Sequence, residues 1–357
     1  MGRVIKTFTI KYIIKDIPGL VIFLVLFVNR VYSQDVSLKP VRLMFYNVEN
    51  LFDIYNDTTK DDDDFLPKGV MRWNDTRYNK KIKGLYKTIV AAGEWSPPEV
   101  VAFCEVENRK PLEDLVHGSY LSKYNYDIIH EESPDQRGID VCIVYRKDCI
   151  CILEYAYWIP PEINMEKFTS RSILYTKLLY GSDTIHLIVN HWPSRRGGVL
   201  AGENMRLKIS SMVREKVDSI NRETEGGAKI IIIGDFNSTP DDQEMESLIA
   251  PSKSGSFLMN LSVKQAEEGL GTYRYMGTWE MIDQVIVSEK LLSCDAGLYT
   301  DSDQATVFRP DFLLEKDPKY PGFTPLSTYR GYRYQGGFSD HLPILLNLKE
   351  RSQSRQE

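Results

Sequence analysis

From Val41 onward, short apolar runs rich in Val, Ile and Tyr alternate with longer stretches whose apolar residues recur every three or four positions. Runs of the first kind have the length and branching of buried strands, and the second kind has the period of amphipathic helices. The pattern predicts strands over Arg42–Tyr46, Val100–Phe103, Tyr126–Ile129, Val141–Tyr145, Cys151–Trp158, Ile173–Leu179, Ile185–Asn190, Lys229–Ile233, Met281–Val287 and Ile344–Leu348. It predicts helices over Tyr78–Gly93, Glu203–Asn221 and Asp241–Ile249. No linker rich in Pro, Gly or Ser divides these elements and no segment repeats. A single layered α/β domain over residues 41–349 is therefore expected, followed by a polar tail at 350–357.

Two stretches resist this periodicity. Asp57–Asp64 carries five aspartates and reads as a solvated acidic loop rather than a cation site, because a flexible loop does not hold a coordination geometry. Tyr299–Gly337, rich in Pro, Tyr, Arg and Gly, reads as a long ordered loop near a functional site.

Residues 1–33 differ from everything after them. Arg3, Lys6, Lys11 and Lys15 precede the apolar run Ile17–Val28, and Val31-Tyr32-Ser33 stands before Gln34, the layout of a secretory signal peptide. A spanning helix needs roughly 20 apolar residues, more than this run supplies, so export to the periplasm or beyond is expected, with an N-terminal membrane anchor as the alternative. Residues 34–40 would then form a short mature N-terminal segment.

The 357 residues are 42% hydrophobic, ample for a packed core, and carry a net charge of −6. That charge excludes the uniformly basic surface of a protein held to nucleic acid by non-specific phosphate contacts, though not a local basic cleft. The five cysteines are odd in number, and Cys104 and Cys142 sit in apolar strand-like runs. Free, mostly buried thiols are expected, and no pair has the spacing of a zinc site.

Polar clusters follow several of the apolar strands: Asn47-Val48-Glu49-Asn50, Glu105, Asn190-His191-Trp192-Pro193-Ser194-Arg195, Gly234-Asp235-Phe236-Asn237 and Ser339-Asp340-His341. The carboxyl edge of a sheet is where short loops can aim several side chains at one point. Asp235 and Asn237 could merely end a strand in a turn, with Ser238 or Thr239 capping the next helix. His191 is followed by Arg195 and Arg196 and by two glycines, a combination of guanidinium and backbone amides that suits a phosphate. Asp283 lies inside an apolar run and needs a partner, for which a histidine such as His341 is natural. Asp140 is a candidate to orient His191. Glu105 with Asp340, Asn47 and Glu49 would make an all-oxygen site suited to Mg²⁺ or Mn²⁺.

The ordered set Asn47, Glu105, Arg171, His191, Asp235 with Asn237, Asp283, and Asp340 with His341 resembles the endonuclease/exonuclease/phosphatase superfamily over most of residues 41–348. That superfamily includes DNase I-like nucleases, abasic-site endonucleases, inositol-polyphosphate 5-phosphatases and bacterial sphingomyelinases. The resemblance implies a DNase I-like four-layer α/β sandwich, two facing mixed sheets flanked by helices, and metal-dependent hydrolysis of phosphate esters. It makes Glu105 the chief metal ligand with Asn47 and Asp340 nearby. Asp235 and Asn237 would position or activate water, and His341, paired to Asp283, and His191 would handle phosphate charge and proton transfer. Arg171, in Thr169-Ser170-Arg171-Ser172, matches a phosphate-contacting arginine, and Arg195 would also face phosphate.

An exported, monomeric endonuclease or phosphodiesterase is the leading expectation, with nucleic acid as a candidate substrate. The alternatives are an inositol-phosphate phosphatase, a sphingomyelinase-like hydrolase and a catalytically dead binding module. The lipid alternative is weakened because no apolar hairpin with paired aromatics is evident, and the dead module because no charged catalytic residue is missing.

Overall fold

The computed structural model describes residues 40–351 except 95, 161–170, 196–198, 252–255 and 296. The expected leader, the segment 34–39, the tail beyond Arg351, and Thr169, Ser170 and Arg196 lie outside the described residues.

The strands run, in chain order, as β1 (Val41–Leu51), β2 (Val100–Val106), β3 (Tyr126–Ile129), β4 (Asp140–Arg146), β5 (Ile150–Trp158), β6 (Ile173–Tyr180), β7 (Asp183–His191), β8 (Lys229–Asp235), β9 (Leu258–Asn260), β10 (Tyr273–Tyr275), β11 (Thr278–Glu280), β12 (Asp283–Ser288), β13 (Leu298–Tyr299) and β14 (Ala305–Val307). Two small hairpins follow, β15 (Leu314–Lys316) with β16 (Phe323–Pro325) and β17 (Tyr329–Arg330) with β18 (Arg333–Tyr334), and β19 (Ile344–Glu350) closes the domain. The principal helices are α1 (Asp75–Gly93), α2 (Arg109–Val116), α3 (Val199–Glu223) and α4 (Gln243–Ile249).

One sheet has the order β13-β19-β1-β2-β4-β3 with β14 also on β19, and the other β5-β6-β7-β8-β12-β9. Each is built round one parallel pair, β1 with β2 and β7 with β8, and the neighbouring strands are antiparallel. A parallel pair needs a crossover, and α1 and α3 supply the two. Side-chain alternation then assigns the faces. Leu43 and Phe45 of β1 share a core with Leu187, Val189, Ile231 and Ile233 of the opposite sheet. Met44 and Tyr46 face outward onto Tyr78, Ile82, Leu85 and Ile89 of α1. On the far side Ile188, Ile230 and Ile232 meet Met205, Ile209, Val213 and Val217 of α3. The layers are helix, sheet, sheet, helix, as the resemblance implied.

Each predicted strand and helix forms, with ends moved by a few residues. What the periodicity missed was short. α2 carries Pro111, which reads as a helix breaker but sits in the first turn, where a missing N–H costs nothing, behind an Asn108 cap that accepts from Lys110 N at 2.8 Å. Residues 299–337 form the short strands β13–β18 rather than one irregular loop. The helix after Pro240 starts at Gln243 behind Asp242, so neither Ser238 nor Thr239 caps it; the Asp242 carboxylate instead accepts from Thr239 N at 2.7 Å. In the acidic loop Asp61, Asp63 and Asp64 are exposed as expected, but Asp62 is buried and accepts from Asp57 N at 2.9 Å. The thiols are all free, yet only Cys104 and Cys142 are buried, while Cys151 and Cys294 are exposed. No helix among the described residues is long and apolar enough to cross a membrane.

His186, buried on β7 with its Nδ1 2.9 Å from the Tyr175 hydroxyl, is pushed down to about 4, first by burial and then by Lys177. The unfolded chain therefore binds this proton more readily than the native one between roughly pH 6.5 and 4, so stability falls as the pH drops through that window. Denaturant melts at pH 7 and pH 4.5 are expected to show a smaller acid loss for His186→Gln than for the wild type. An identical loss in both proteins would dismiss the contribution.

Candidate active site

The polar clusters converge at one edge of the two facing sheets. The parallel pairs end there, so β1, β2, β7 and β8 deliver Asn47, Glu105, His191 and Asp235 side by side, while β12 begins at Asp283 and Asp340 and His341 precede β19. Register sets the neighbours: His191 lies opposite Asp235 across β7–β8, and Asp283 lies opposite Asp235 across β12–β8. Gly234 is required at this crossing, since a Cβ there would lie 2.2 Å from the Asn190 carbonyl oxygen.

The backbone itself marks the site. Glu49, Asn50, Glu105 and Asn237 all adopt left-handed φ angles of 48°, 56°, 62° and 50°. Such conformations cost about 1–3 kcal/mol each for non-glycine residues and persist where the surroundings enforce them, which is common at active sites. Here they turn side chains out of the sheet edge toward a common cleft. Ser339 fastens the C-terminal cluster to β1 by donating to the Asn47 carbonyl at 2.7 Å, and its Oγ accepts from His341 N at 3.1 Å.

Asp283 and His341 form the expected pair: His341 Nδ1 lies 2.7 Å from Asp283 Oδ2, and both are buried. Burial disfavours the imidazolium, but Asp283, by charge and hydrogen bond, together with Asp235 and Asp340, outweighs it and holds the His341 pKa well above its usual value. The surrounding carboxylates thus favour the imidazolium form of His341. Its Nε2 faces Asp235 Oδ2 at 3.9 Å. Asp235 itself is pushed up to about 7, first by burial and then by Asp283, against the opposing pull of His341, the Asn237 amide and Asn47. Two carboxylates directly across a ladder repel one another, and one of them therefore holds its proton near neutrality. The amide of Asn237 donates to Asp235 Oδ1 at 2.9 Å, and Asn47 Nδ2 donates to Oδ2 at 2.9 Å.

His191 differs from the expectation of a cationic phosphate contact. Burial, then Arg171, Arg137 and His341, depress its pKa well below the usual value, so it is a neutral imidazole. Asp140 does not orient it either: Asp140 Oδ2 lies 3.1 Å from His130 Nε2, and Oδ1 accepts from Ser133 N at 2.9 Å. His191 Nδ1 is buried with no hydrogen-bond partner among the described residues, while Nε2 lies 3.9 Å from both Glu105 and Asp235.

Burial alone would raise Glu105, but Arg137, His341, Arg171 and the Asn50 amide, which donates to Oε2 at 2.9 Å, keep it below its usual value. Asp340 is raised by burial and by Glu105, offset by His341 and Lys81. Neither carboxylate has a lysine or arginine nitrogen within ion-pair distance among the described residues. Two repelling oxygen donors of this kind, with the Asn47 amide beside them, fit a hard divalent cation. Closer groupings exist at Cys104, His191 and Asp235, and at Asp235, Asp283 and His341. The first offers a buried thiol held well above its usual pKa, a poor partner for a hard ion, and the second is accounted for by its own hydrogen bond.

Glu49 serves differently from the ligand expected of it. Both its oxygens accept backbone amides, from Thr328 at 2.5 Å and Tyr329 at 2.9 Å, so it anchors the 326–338 segment behind the site. Lys81 completes that anchor: its ammonium donates to Thr328 Oγ1 and the Phe338 carbonyl, each at 2.5 Å, and lies 3.4 Å from the Glu49 carbonyl. Burial lowers its pKa to about 8 against the pull of Glu49 and Asp340. Lys81 was missed, although a lysine on the apolar face of α1 between Tyr78 and Leu85 is a readable anomaly.

The cleft over these groups has a volume of about 520 Å³, within the range of small-ligand sites. Arg171, buried and 3.4 Å from Asp135, and Arg137, which donates to Asn50 Oδ1 at 2.7 Å, both line it. Arg195 reaches the cleft, but its guanidinium is spent on Asp242 at 2.5 Å and the Asn237 carbonyl at 3.1 Å. Tyr273, Tyr275 and Glu280 form a further part of the cleft wall. They belong to the β10–β11 hairpin, which was not evident from the sequence because each of its strands has only three residues.

A profile of the endonuclease/exonuclease/phosphatase family matches residues 42–350, and the chain belongs to that family. Its activity class is accordingly the hydrolysis of phosphate esters, and enzymes of the family typically use divalent metals. Among solved structures the fold is similar to a family member from Bacteroides thetaiotaomicron, with 15% identity, TM-score 0.54 and coverage of 89% of this chain and 98% of that one. Danio rerio TDP2 complexed with a single-strand DNA product is similar at 15% identity and TM-score 0.54, covering 87% of this chain and 99% of that one. The human Nocturnin catalytic domain with bound sulfate matches at 14% identity and TM-score 0.53, covering 88% and 97%. Among curated proteins no match was found.

Proposed function

We propose that this protein hydrolyses phosphate esters by in-line attack of water, with a divalent cation, Mg²⁺ or Mn²⁺, held by Glu105 and Asp340 beside Asn47. The observation that carries the proposal is the pair of repelling, half-buried carboxylates, Glu105 and Asp340, set beside the buried His341 imidazole at the sheet edge. When bound, the cation supplies Lewis-acid polarisation of a phosphoryl oxygen and neutralises charge. Asp235, poised near neutrality, takes a proton from the attacking water, and Asn237 holds that carboxylate in place through its amide. The water oxygen bonds to phosphorus and the ester P–O bond breaks. The departing oxygen leaves on the opposite side and takes a proton from solvent. The His341 imidazolium, held by Asp283, faces the negative charge that grows on the phosphoryl oxygens, and Arg171 and Arg137 lie on the same flank. His191 contributes a neutral ring that orients oxygens without adding charge.

This machinery serves a diester or a monoester alike, so an endonuclease or phosphodiesterase and a phosphatase differ only in what lies beyond the phosphate. The deciding experiment offers plasmid DNA, RNA, inositol phosphates, sugar phosphates and sphingomyelin with Mg²⁺, Mn²⁺ or EDTA. Hydrolysis of at least one ester in a metal-dependent manner is expected; inertness toward all of them would refute the proposal.

We also propose export, supported by the basic-then-apolar layout of residues 1–33. Intact-mass measurement of material recovered outside the cytoplasm is expected to give a chain beginning at or close to Gln34. A membrane-bound chain retaining Met1 would favour the anchor instead.

A further inference from the structure

One wall of the cleft, the β10–β11 hairpin, is built rather than left over. The β10–β11 hairpin presents Tyr273 and Glu280 as cross-strand partners, with Tyr275 toward its tip. Tyr273 also bridges to the backbone at His341, and its ring lies 4.9 Å from that imidazole. The hairpin is clamped from behind. Arg274 donates to Gly277 O at 3.0 Å and Pro321 O at 2.6 Å, and the guanidinium groups of Arg309 and Arg274 lie 4.4 Å and 5.7 Å from the Trp279 ring centroid. A Cβ at Gly277 would come within 2.9 Å of the Tyr320 side chain, so the turn seats directly on the neighbouring segment. The wall exists before any substrate arrives.

We infer that Tyr273, Tyr275 and Glu280 form the subsite for the leaving group, and that this group is a hydroxylated ring, a sugar or a cyclitol, carried as a small phosphate ester. The inference rests on the phosphoester hydrolysis proposed above. Aromatic faces at Tyr273 and Tyr275 offer flat apolar area to the C–H face of such a ring. A carboxylate is acceptor-only and takes hydrogen bonds from ring hydroxyls, two at a time when they are adjacent. Glu280 lines the cleft as such an acceptor, and its nearest cation, Arg195 at 3.9 Å, is already bonded to Asp242.

The same features work against a polynucleotide. A nucleic-acid strand brings flanking phosphates that need free cations, whereas this wall sets the Glu280 carboxylate in the cleft and the Arg195 beside it is already bonded to Asp242. Base stacking on Tyr275 would be available, since that ring is 53% exposed, but stacking alone leaves the carboxylate facing the backbone charge. The cleft volume of about 520 Å³ also accommodates one ring and its phosphate more readily than a strand.

The test compares wild type, Glu280→Gln and Tyr275→Ala, each confirmed folded by circular dichroism, at saturating Mg²⁺. The substrates are hexose 6-phosphates, an inositol monophosphate, n-butyl phosphate as a ring-free ester, and a single-stranded oligonucleotide. The wild type is expected to prefer at least one ring ester over butyl phosphate by about tenfold or more in kcat/KM, the worth of one hydrogen bond to a charged group plus stacking. Glu280→Gln and Tyr275→Ala are expected to collapse that preference, mainly through KM. Equal kcat/KM for ring and butyl esters, an oligonucleotide preferred over every ring ester, or a ring preference that survives both substitutions would overturn the subsite while leaving phosphoester hydrolysis intact. Failure to hydrolyse any ester would instead remove the underlying proposal.

Discussion

Replacing Asp283 by Asn is expected to lower turnover by about 10³-fold or more, and His341→Ala by a similar factor, since an orienting carboxylate and its imidazole act as one unit. The 2.7 Å bond from His341 Nδ1 to Asp283 Oδ2 is the structural basis. Remove the carboxylate, and the imidazole loses both its tautomer and the charge that keeps it protonated. The double variant is then expected to be little worse than either single one, whereas independent contributions would multiply. The pH profile provides a second readout. Asp283 raises the pKa of both Asp235 and His341, so both limbs of the activity profile are expected to move to lower pH in Asp283→Asn. The acid limb, set by Asp235, should begin near pH 7 in the wild type. Turnover at saturating metal for all four proteins, across pH 5 to 9, checks both points; multiplicative losses with unmoved limbs would mean the pair does not operate as one unit.

Loss of activity in EDTA, with recovery on adding Mg²⁺ or Mn²⁺ but not on adding monovalent salt, is the second large effect expected. Glu105→Gln should reproduce the loss with the metal present, by about 10²-fold or more, because electrostatic stabilisation of this kind typically supplies that much. The fold should survive. Glu105 sits at the end of β2 with its carboxylate toward the cleft, and the apolar core of that strand is contributed by Val100, Val101, Ala102 and Phe103. Calorimetric titration of Mg²⁺ into each protein supplies a measurement independent of turnover: binding is expected in the wild type and weakened in Glu105→Gln. Full activity in excess chelator would remove the ligand role from Glu105 and Asp340 together.

The legible part of this protein was its periodic part. Ten strands and three helices could be read because their period, length or β-branching shows in the chain, and the four β-branched residues Ile230 to Ile233 read as a strand buried on both faces. Asn47, Glu105, His191, Asp235, Asp283 and His341 could be singled out because a polar group at the edge of an apolar run, or inside one, is visible in one dimension. Their convergence was not. Ser339 and Asn47 lie 292 residues apart and touch only because β19 pairs with β1. Likewise, the opposition of Asp283 and Asp235 follows from strand register, which no single-chain pattern specifies.

The sequence by itself therefore determined the layered α/β class, the candidate acids, imidazoles and amides, and the pairing chemistry that a buried Asp283 demands. Only the tertiary structure decided which side chains meet and in what charge state. It turned Glu49 to the amides of Thr328 and Tyr329, sent Asp140 to His130 rather than His191, and left His191 neutral. It also brought Lys81 beside the site and Tyr273, Tyr275 and Glu280 to its wall. The physical reason is common to all of these. Desolvation and Coulomb interactions depend on distances and burial across elements far apart in the chain, whereas hydrophobic periodicity is a property of each element alone.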